Sequence, residues 1–95
     1  MAKLTYPDLD DDDEIDMRLF INRLRSFKHW PHSFLNPMLF ASLGFYYSGK
    51  LVDLVRCTYC GITFRGWSEG DCPQREHDLY APNCIKSKQR SASRN

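Results

Sequence analysis

The chain has 95 residues, a net charge of +1 and an apolar fraction of 42%. This length supports one domain at most, and a charge so near zero supplies no global field to recruit nucleic acid or a membrane. No apolar run is long enough to cross a bilayer, and the first residues do not read as an export signal.

In chain order, residues 1–14 read as an acidic flexible leader, residues 15–86 as the folded domain and residues 87–95 as a disordered basic, Ser-rich tail. Asp8, Asp10, Asp11, Asp12, Asp13, Glu14 and Asp16 crowd the first part, and Lys86, Lys88, Arg90 and Arg94 the last. A helix is expected from near Ile15, because Ile15, Leu19, Phe20, Leu24 and Phe27 recur at helical spacing. The acidic run complements the positive end of its dipole, and Trp30-Pro31 stops it. Asn36-Pro37 starts a second helix, with Asn as N-cap and Pro at the first position, and Gly44 fits its C-terminal cap. Three short strands follow: Phe45-Tyr46-Tyr47, then Leu51 to Arg56 after a turn at Ser48-Gly49-Lys50, then Ile62 to Trp67. Pro73 opens a last helix that runs to about Tyr80, and Pro82-Asn83-Cys84 ends it. The fold class is α+β, a three-stranded antiparallel meander surrounded by short helices.

The chemistry concentrates in Cys57, Cys60, His77 and Cys84, spaced C-x2-C-x16-H-x6-C. A Cys-x2-Cys turn aims two thiolates at one point, and a His and a Cys from a later segment can close a tetrahedron. Three thiolates and an imidazole suit Zn²⁺, and four protein ligands leave no open position for water. The site is therefore expected to be one structural Cys3His zinc rather than a catalytic centre. Cys57 and Cys60 are too close for a useful disulfide, so metal ligation in a reducing compartment, the cytoplasm, is expected. Cys72 is left over. About seventy foldable residues make a small core, a size that commonly needs such a staple.

The sequence resembles the baculoviral inhibitor-of-apoptosis repeat, or BIR domain, from about Arg23 to Cys84. The residues that carry the resemblance begin with Arg23-Leu24-Arg25-Ser26-Phe27, Trp30-Pro31, Gly44-Phe45-Tyr46-Tyr47 and Gly49. They continue with Asp53-Leu54-Val55-Arg56-Cys57, Cys60, Trp67, Gly70-Asp71-Cys72-Pro73, Glu76-His77 and Pro82-Asn83-Cys84. The resemblance implies a three-stranded sheet packed by short helices around one zinc. It also implies a non-enzymatic, anti-apoptotic binding module that holds free Ala-initiated N-termini, those of processed caspases or of death-promoting antagonists.

By the same resemblance, Thr63, Phe64 and Arg65 offer a strand edge for the peptide backbone. Asp71 and Glu76 receive its ammonium, Trp67 walls the Ala pocket and Tyr80 packs on the third peptide residue. Each has a plainer rival: Trp67 as core, Asp71 as a helix cap, Glu76 as a solvated helix residue, Tyr80 as packing. Arg23 is implied to be structural, bonding backbone, and His29 and His32 are read as surface or locally satisfied histidines. The chain departs from the family pattern in three places. Cys72 stands where Asp is common and caps poorly. Arg65 beside the groove favours acidic downstream residues. Ile85-Lys86-Ser87-Lys88 replaces an apolar continuation.

A mitotic-type BIR reading a histone tail, with nuclear residence, is the alternative function. A nucleic-acid-binding zinc finger ranks last, because neither the spacing nor the charge fits one. A direct block of a caspase by the acidic leader is a further, weaker expectation. No second Cys/His set of the RING type is present, no membrane contact is expected, and the expected oligomeric state is a monomer.

Overall fold

The computed structural model describes residues 3–5 and 15–92. The elements are β1 (Lys3–Thr5), α1 (Phe20–Ser26) with a 3₁₀ turn (Phe27–His29), α2 (Pro37–Leu43), β2 (Phe45–Tyr47), β3 (Val55–Cys57), β4 (Thr63–Arg65), α3 (Pro73–Tyr80) and α4 (Ile85–Ala92). The expected meander β2-β3-β4 is present and antiparallel, in an α+β fold. To its outer edge the structure adds β1, giving the order β1-β4-β3-β2. Most of the acidic leader lies outside the described residues, but Lys3–Thr5 is a strand rather than a flexible segment.

Local chemistry explains why α2 sits where the sequence put it. Asn36 Oδ1 accepts the N–H of Met38 at 2.9 Å, Pro37 occupies the first turn, and Gly44 closes the helix with φ of +100°. A side chain at Gly44 would also meet the Tyr59 ring at 2.9 Å, so the position is constrained twice over.

α1 starts later than the periodicity suggests. Ile15, Leu19 and Phe20 are exposed, and the buried residue of the helix is Arg23. Its guanidinium donates to the carbonyls of Ala41 (2.8 Å), Met17 (3.0 Å) and Arg18 (3.0 Å), tying the lead-in segment to the end of α2. Arg23 thus bonds backbone as the resemblance implied. The segment before the helix turns on Asp16, which accepts the N–H and the guanidinium of Arg18. Its backbone is spent there rather than in a helix.

The second and third strands are also shorter than read. Leu51 and Val52 are exposed and take φ of +49° and +67°, the left-handed region that bulky or β-branched residues rarely enter. Closure of the loop holds them there: Ser48 N–H donates to Leu54 O (3.1 Å), Leu54 N–H to Lys50 O (3.2 Å), and Tyr47 Oη to Val52 O. The third strand stops at Arg65 because the N–H groups of Gly66 and Trp67 both turn to the Asp53 carboxylate, each at 2.8 Å.

The core is aromatic. Phe40 is fully buried, with Phe27, Trp30 and Trp67 at ring-centre distances of 5.4, 5.1 and 4.9 Å. Phe45 carries the cluster across the sheet to Phe64 (6.0 Å) and to the His77 ring (5.4 Å). Apolar core and ligand cluster are therefore one packed body. The C-terminal segment is the last difference. Residues 85–92 form α4, where a disordered tail was expected from residue 87, because Ser87 is buried against α3 rather than solvated.

Candidate metal centre and peptide groove

Two segments meet at the metal centre. β3 runs into Cys57, and the turn that follows is closed by Gly61 N–H on Cys57 O and Cys57 N–H on Ile62 O, both at 2.9 Å. The turn brings Cys60 round to face Cys57. α3 carries His77, and the chain after it delivers Cys84. The four ligand atoms all lie within 4.8 Å of one another, with Cys57 Sγ 3.9 Å from Cys84 Sγ and Cys60 Sγ 3.7 Å from His77 Nε2. The predicted four-residue set is thus brought together as a cluster able to coordinate a metal ion. Cys72 is exposed and stands outside it.

The thiols are tuned by their surroundings. Burial pushes the Cys57 thiol up to about 12, opposed in part by the N–H groups of Cys60 and Tyr59, while neighbouring Cys60 and Cys84 push it further. Cys60 is raised as well, again chiefly by burial. Without a cation these thiols hold their protons. A cation must displace them, and a buried, closed set of three sulfurs and a nitrogen repays that displacement with a thiophilic tetrahedral metal. The residues present fit such a group. His77 is itself held on its other side: Ser87 Oγ lies 3.1 Å from His77 Nδ1 and 2.8 Å from Asp78 Oδ1.

The residues assigned to a peptide groove lie along β4 and α3. The outer edge of β4 is paired with β1 in the register Lys3–Arg65, Leu4–Phe64 and Thr5–Thr63. Thr63 and Phe64 are buried and Arg65 is exposed. Phe64 sits between two of the predicted aromatics, 5.9 Å from the Trp67 ring and 5.9 Å from that of Tyr80. Trp67 is itself part of the core, 4% exposed, and its Nε1 has no hydrogen-bond partner among the described residues. Tyr80 is largely exposed.

Asp71 is not at the N-cap position of α3. Its carboxylate accepts the N–H of Ser68 at 2.8 Å and closes the 68–71 loop ahead of the helix. The N-cap position is Cys72, in extended backbone with no side-chain cap bond, as its chemistry predicts. Glu76 is not a solvated helix residue. It is 4% exposed, and its Oε2 is buried without a partner among the described residues.

Sequence reasoning missed the support behind this face. Asp53 accepts Gly66 N–H, Trp67 N–H and His32 Nε2, each at 2.8 Å. Burial alone would raise the Asp53 carboxyl, but these three donors together hold it below the usual carboxylate range. The Asp53 clamp fixes where the chain leaves β4, and so where Trp67 and the Asp71 loop begin. Its sequence signal was weak: an Asp inside a run that reads as strand. His32 is satisfied locally, as expected, and stands among the rings of Trp30 and Phe34.

Residues 23–87 match the family described as the Inhibitor of Apoptosis domain, BIR. The chain is 45% identical over 69 residues to "Apoptosis inhibitor IAP" of Cydia pomonella granulosis virus, covering 73% of this chain and 25% of that protein. It is 38% identical over 69 residues to "Death-associated inhibitor of apoptosis 2" of Drosophila melanogaster, covering 73% of this chain and 14% of the relative. The chain thus spans a quarter or less of these relatives. Among solved structures, the autoinhibited dIAP1-BIR1 domain superposes with a TM-score of 0.74 at 31% identity, covering 78% of this chain and 75% of that one. DIAP1 BIR1 bound to a Grim peptide gives 0.71 at 32%, covering 76% and 73%. With its fold, its four-ligand cluster and these matches in agreement, the chain belongs to the BIR family of the inhibitor-of-apoptosis proteins, non-catalytic modules for protein interaction.

Proposed function

We propose that this domain is an anti-apoptotic module that holds the free, Ala-initiated N-terminus of a processed caspase or of a death-promoting antagonist, with one structural zinc at Cys57, Cys60, His77 and Cys84. What supports the reading most is the behaviour of β4. Its outer edge pairs with an extended antiparallel segment along Thr63, Phe64 and Arg65, the three residues assigned to backbone recognition. A second support is the Oε2 of Glu76, buried and without a donor among the described residues, on the helix that borders this edge. A free ammonium supplies such a donor, and charge-assisted bonds of this kind contribute about 1.5–3 kcal/mol each.

The same pairing carries a consequence. β1 occupies the edge that an incoming peptide needs, so peptide and leader compete for it. A solved relative of the same fold is described as autoinhibited, and another as bound to a Grim peptide. Arg65, exposed beside the edge, favours acidic residues downstream of the Ala. Four free cysteines, three of them in the ligand cluster, suit a reducing compartment, and the cytoplasm is the proposed setting.

The test is fluorescence polarisation with labelled Ala-Val-Pro-Ile peptide, free and N-acetylated, on the zinc-loaded chain with and without residues 1–14. Binding of the free peptide alone is expected, tighter by severalfold once the leader is removed. It should weaken about 10- to 100-fold in Asp71→Ala or Glu76→Ala, the factor that one charge-assisted bond implies. Binding of neither peptide by either form would overturn the reading. A histone-tail peptide in the same assay separates the mitotic alternative, which uses the same groove.

A further inference from the structure

Ser87 lies in a segment of Lys, Gln and Arg, yet it is 4% exposed. α4 begins at Ile85, directly after the ligand Cys84, and Lys88 N–H bonds back to Cys84 O at 3.0 Å. Ser87 stands three residues past Cys84, so one helical turn places both on the side facing α3. There its Oγ meets three groups at once: His77 Nδ1 at 3.1 Å, Asp78 Oδ1 at 2.8 Å and Ala81 O at 2.9 Å.

The directions of these bonds are mutually consistent. His77 turns Nε2 toward the sulfurs, 3.7 Å from Cys60 Sγ. An imidazole that offers the Nε2 lone pair to a metal, and stays neutral, carries its proton on Nδ1. Ser87 Oγ accepts that proton, and its own hydroxyl hydrogen goes on to Asp78 Oδ1 or Ala81 O. Asp78 Oδ1 stands 3.6 Å from Nδ1, too far for a direct hydrogen bond. The hydroxyl is the link between them. Without it, buried Nδ1–H would lose an acceptor, and the ring would lose the contact that selects its tautomer and fixes its plane.

We propose that Ser87 is the positioning residue of His77, and that through it α4 is coupled to the metal centre. The inference rests on the cluster binding zinc, and a wild-type chain that binds none would refute that reading rather than this one. Outer partners of ligating histidines typically govern metal affinity by 10- to 100-fold. The zinc dissociation constant of the full chain, by chelator competition, is therefore expected to rise by about that factor in Ser87→Ala and Ser87→Val. Ser87→Thr, which keeps the hydroxyl, is expected to stay within about threefold of wild type.

Two further readouts accompany the affinity. The Nδ1–H resonance of His77 in the zinc-loaded protein should be protected from exchange in wild type and Ser87→Thr and lost in the Val variant. Amide exchange in residues 85–88 should slow on zinc loading in the first two only. Thr and Val have nearly the same shape, so equal affinities in those two variants would reduce Ser87 to packing and overturn the proposal. Wild-type affinity in Ser87→Ala would do the same.

Discussion

The metal end and the groove end of this domain resolve their polar groups in opposite ways. At the metal end, three of the four ligands are supported from within the chain: Cys57 by the N–H groups of Tyr59 and Cys60, Cys60 by Ile62 N–H, His77 by Ser87. At the end proposed as the groove, Glu76 Oε2 and Trp67 Nε1 are buried with no partner among the described residues, and β4 pairs its outer edge with a strand from far along the chain. A buried polar atom left unpaired costs about 1–3 kcal/mol. The first region is thus closed on itself once a cation is present, while the second keeps polar groups in reserve. That is the contrast expected between the proposed structural staple and the proposed binding surface.

The largest expected effect comes from opening the closed region. Structural zinc contributes about 10–16 kcal/mol in small zinc domains, as much as the total stability of an ordinary domain. A strong chelator, or His77→Ala, should abolish the cooperative thermal transition and the near-UV circular dichroism of the buried Trp67. The pH dependence has a definite sign. Burial holds Cys57 at about 12 in the metal-free form and raises Cys60 too, so loading zinc near neutral pH must expel thiol protons. Affinity should rise with pH, and calorimetry in buffers of different ionisation enthalpy should show more than one proton released. A pH-independent affinity would contradict the cluster as described.

A smaller effect separates support from surface. Asp53→Ala leaves the N–H groups of Gly66 and Trp67 without their acceptor, at an expected cost of about 3 kcal/mol in denaturant unfolding of the zinc-loaded chain. Because the folded-state carboxyl lies below its ordinary value, the Asp53 contribution is fully present above about pH 4. It is lost as pH falls through the depressed value. The wild-type loss of stability below pH 4 should therefore be shallower in the variant. Peptide affinity should fall as well, since the clamp sets where Trp67 begins, whereas zinc affinity should not.

The two regions were not equally legible in the sequence. The four ligands were readable because metal chemistry imposes short spacings and a narrow choice of residue types. Asn36, Pro37 and Gly44 were readable because caps are local. α1 was not, because periodicity names a face without saying what covers it: Leu19 and Ile15 are exposed while Arg23 is buried, its guanidinium on the distant Ala41 carbonyl. Strand propensity at Leu51 and Val52 yielded to loop closure. β1, Ser87 and the Asp53 clamp share one reason for escaping notice. Their partners lie six or more residues away, and no local rule reaches that far.

Cys72 lies between the regions and offers the smallest test of the contrast. It occupies the N-cap of α3 with φ of −112° and ψ of 108°, extended backbone that suits a capping side chain, yet it makes no cap bond. Cys72→Asp should supply one, with an added favourable interaction at the positive end of the helix, and stabilise the zinc-loaded domain by about 1 kcal/mol. The measurement is the urea midpoint at constant slope. Because Cys72 stands outside the ligand cluster, zinc affinity should be unchanged. Its neighbours Asp71 and Glu76 oppose a third carboxylate, so the gain should grow with added salt, as screening removes that repulsion faster than it weakens a local hydrogen bond. A gain that shrinks with salt would mean that the dipole interaction outweighs that repulsion at the start of α3.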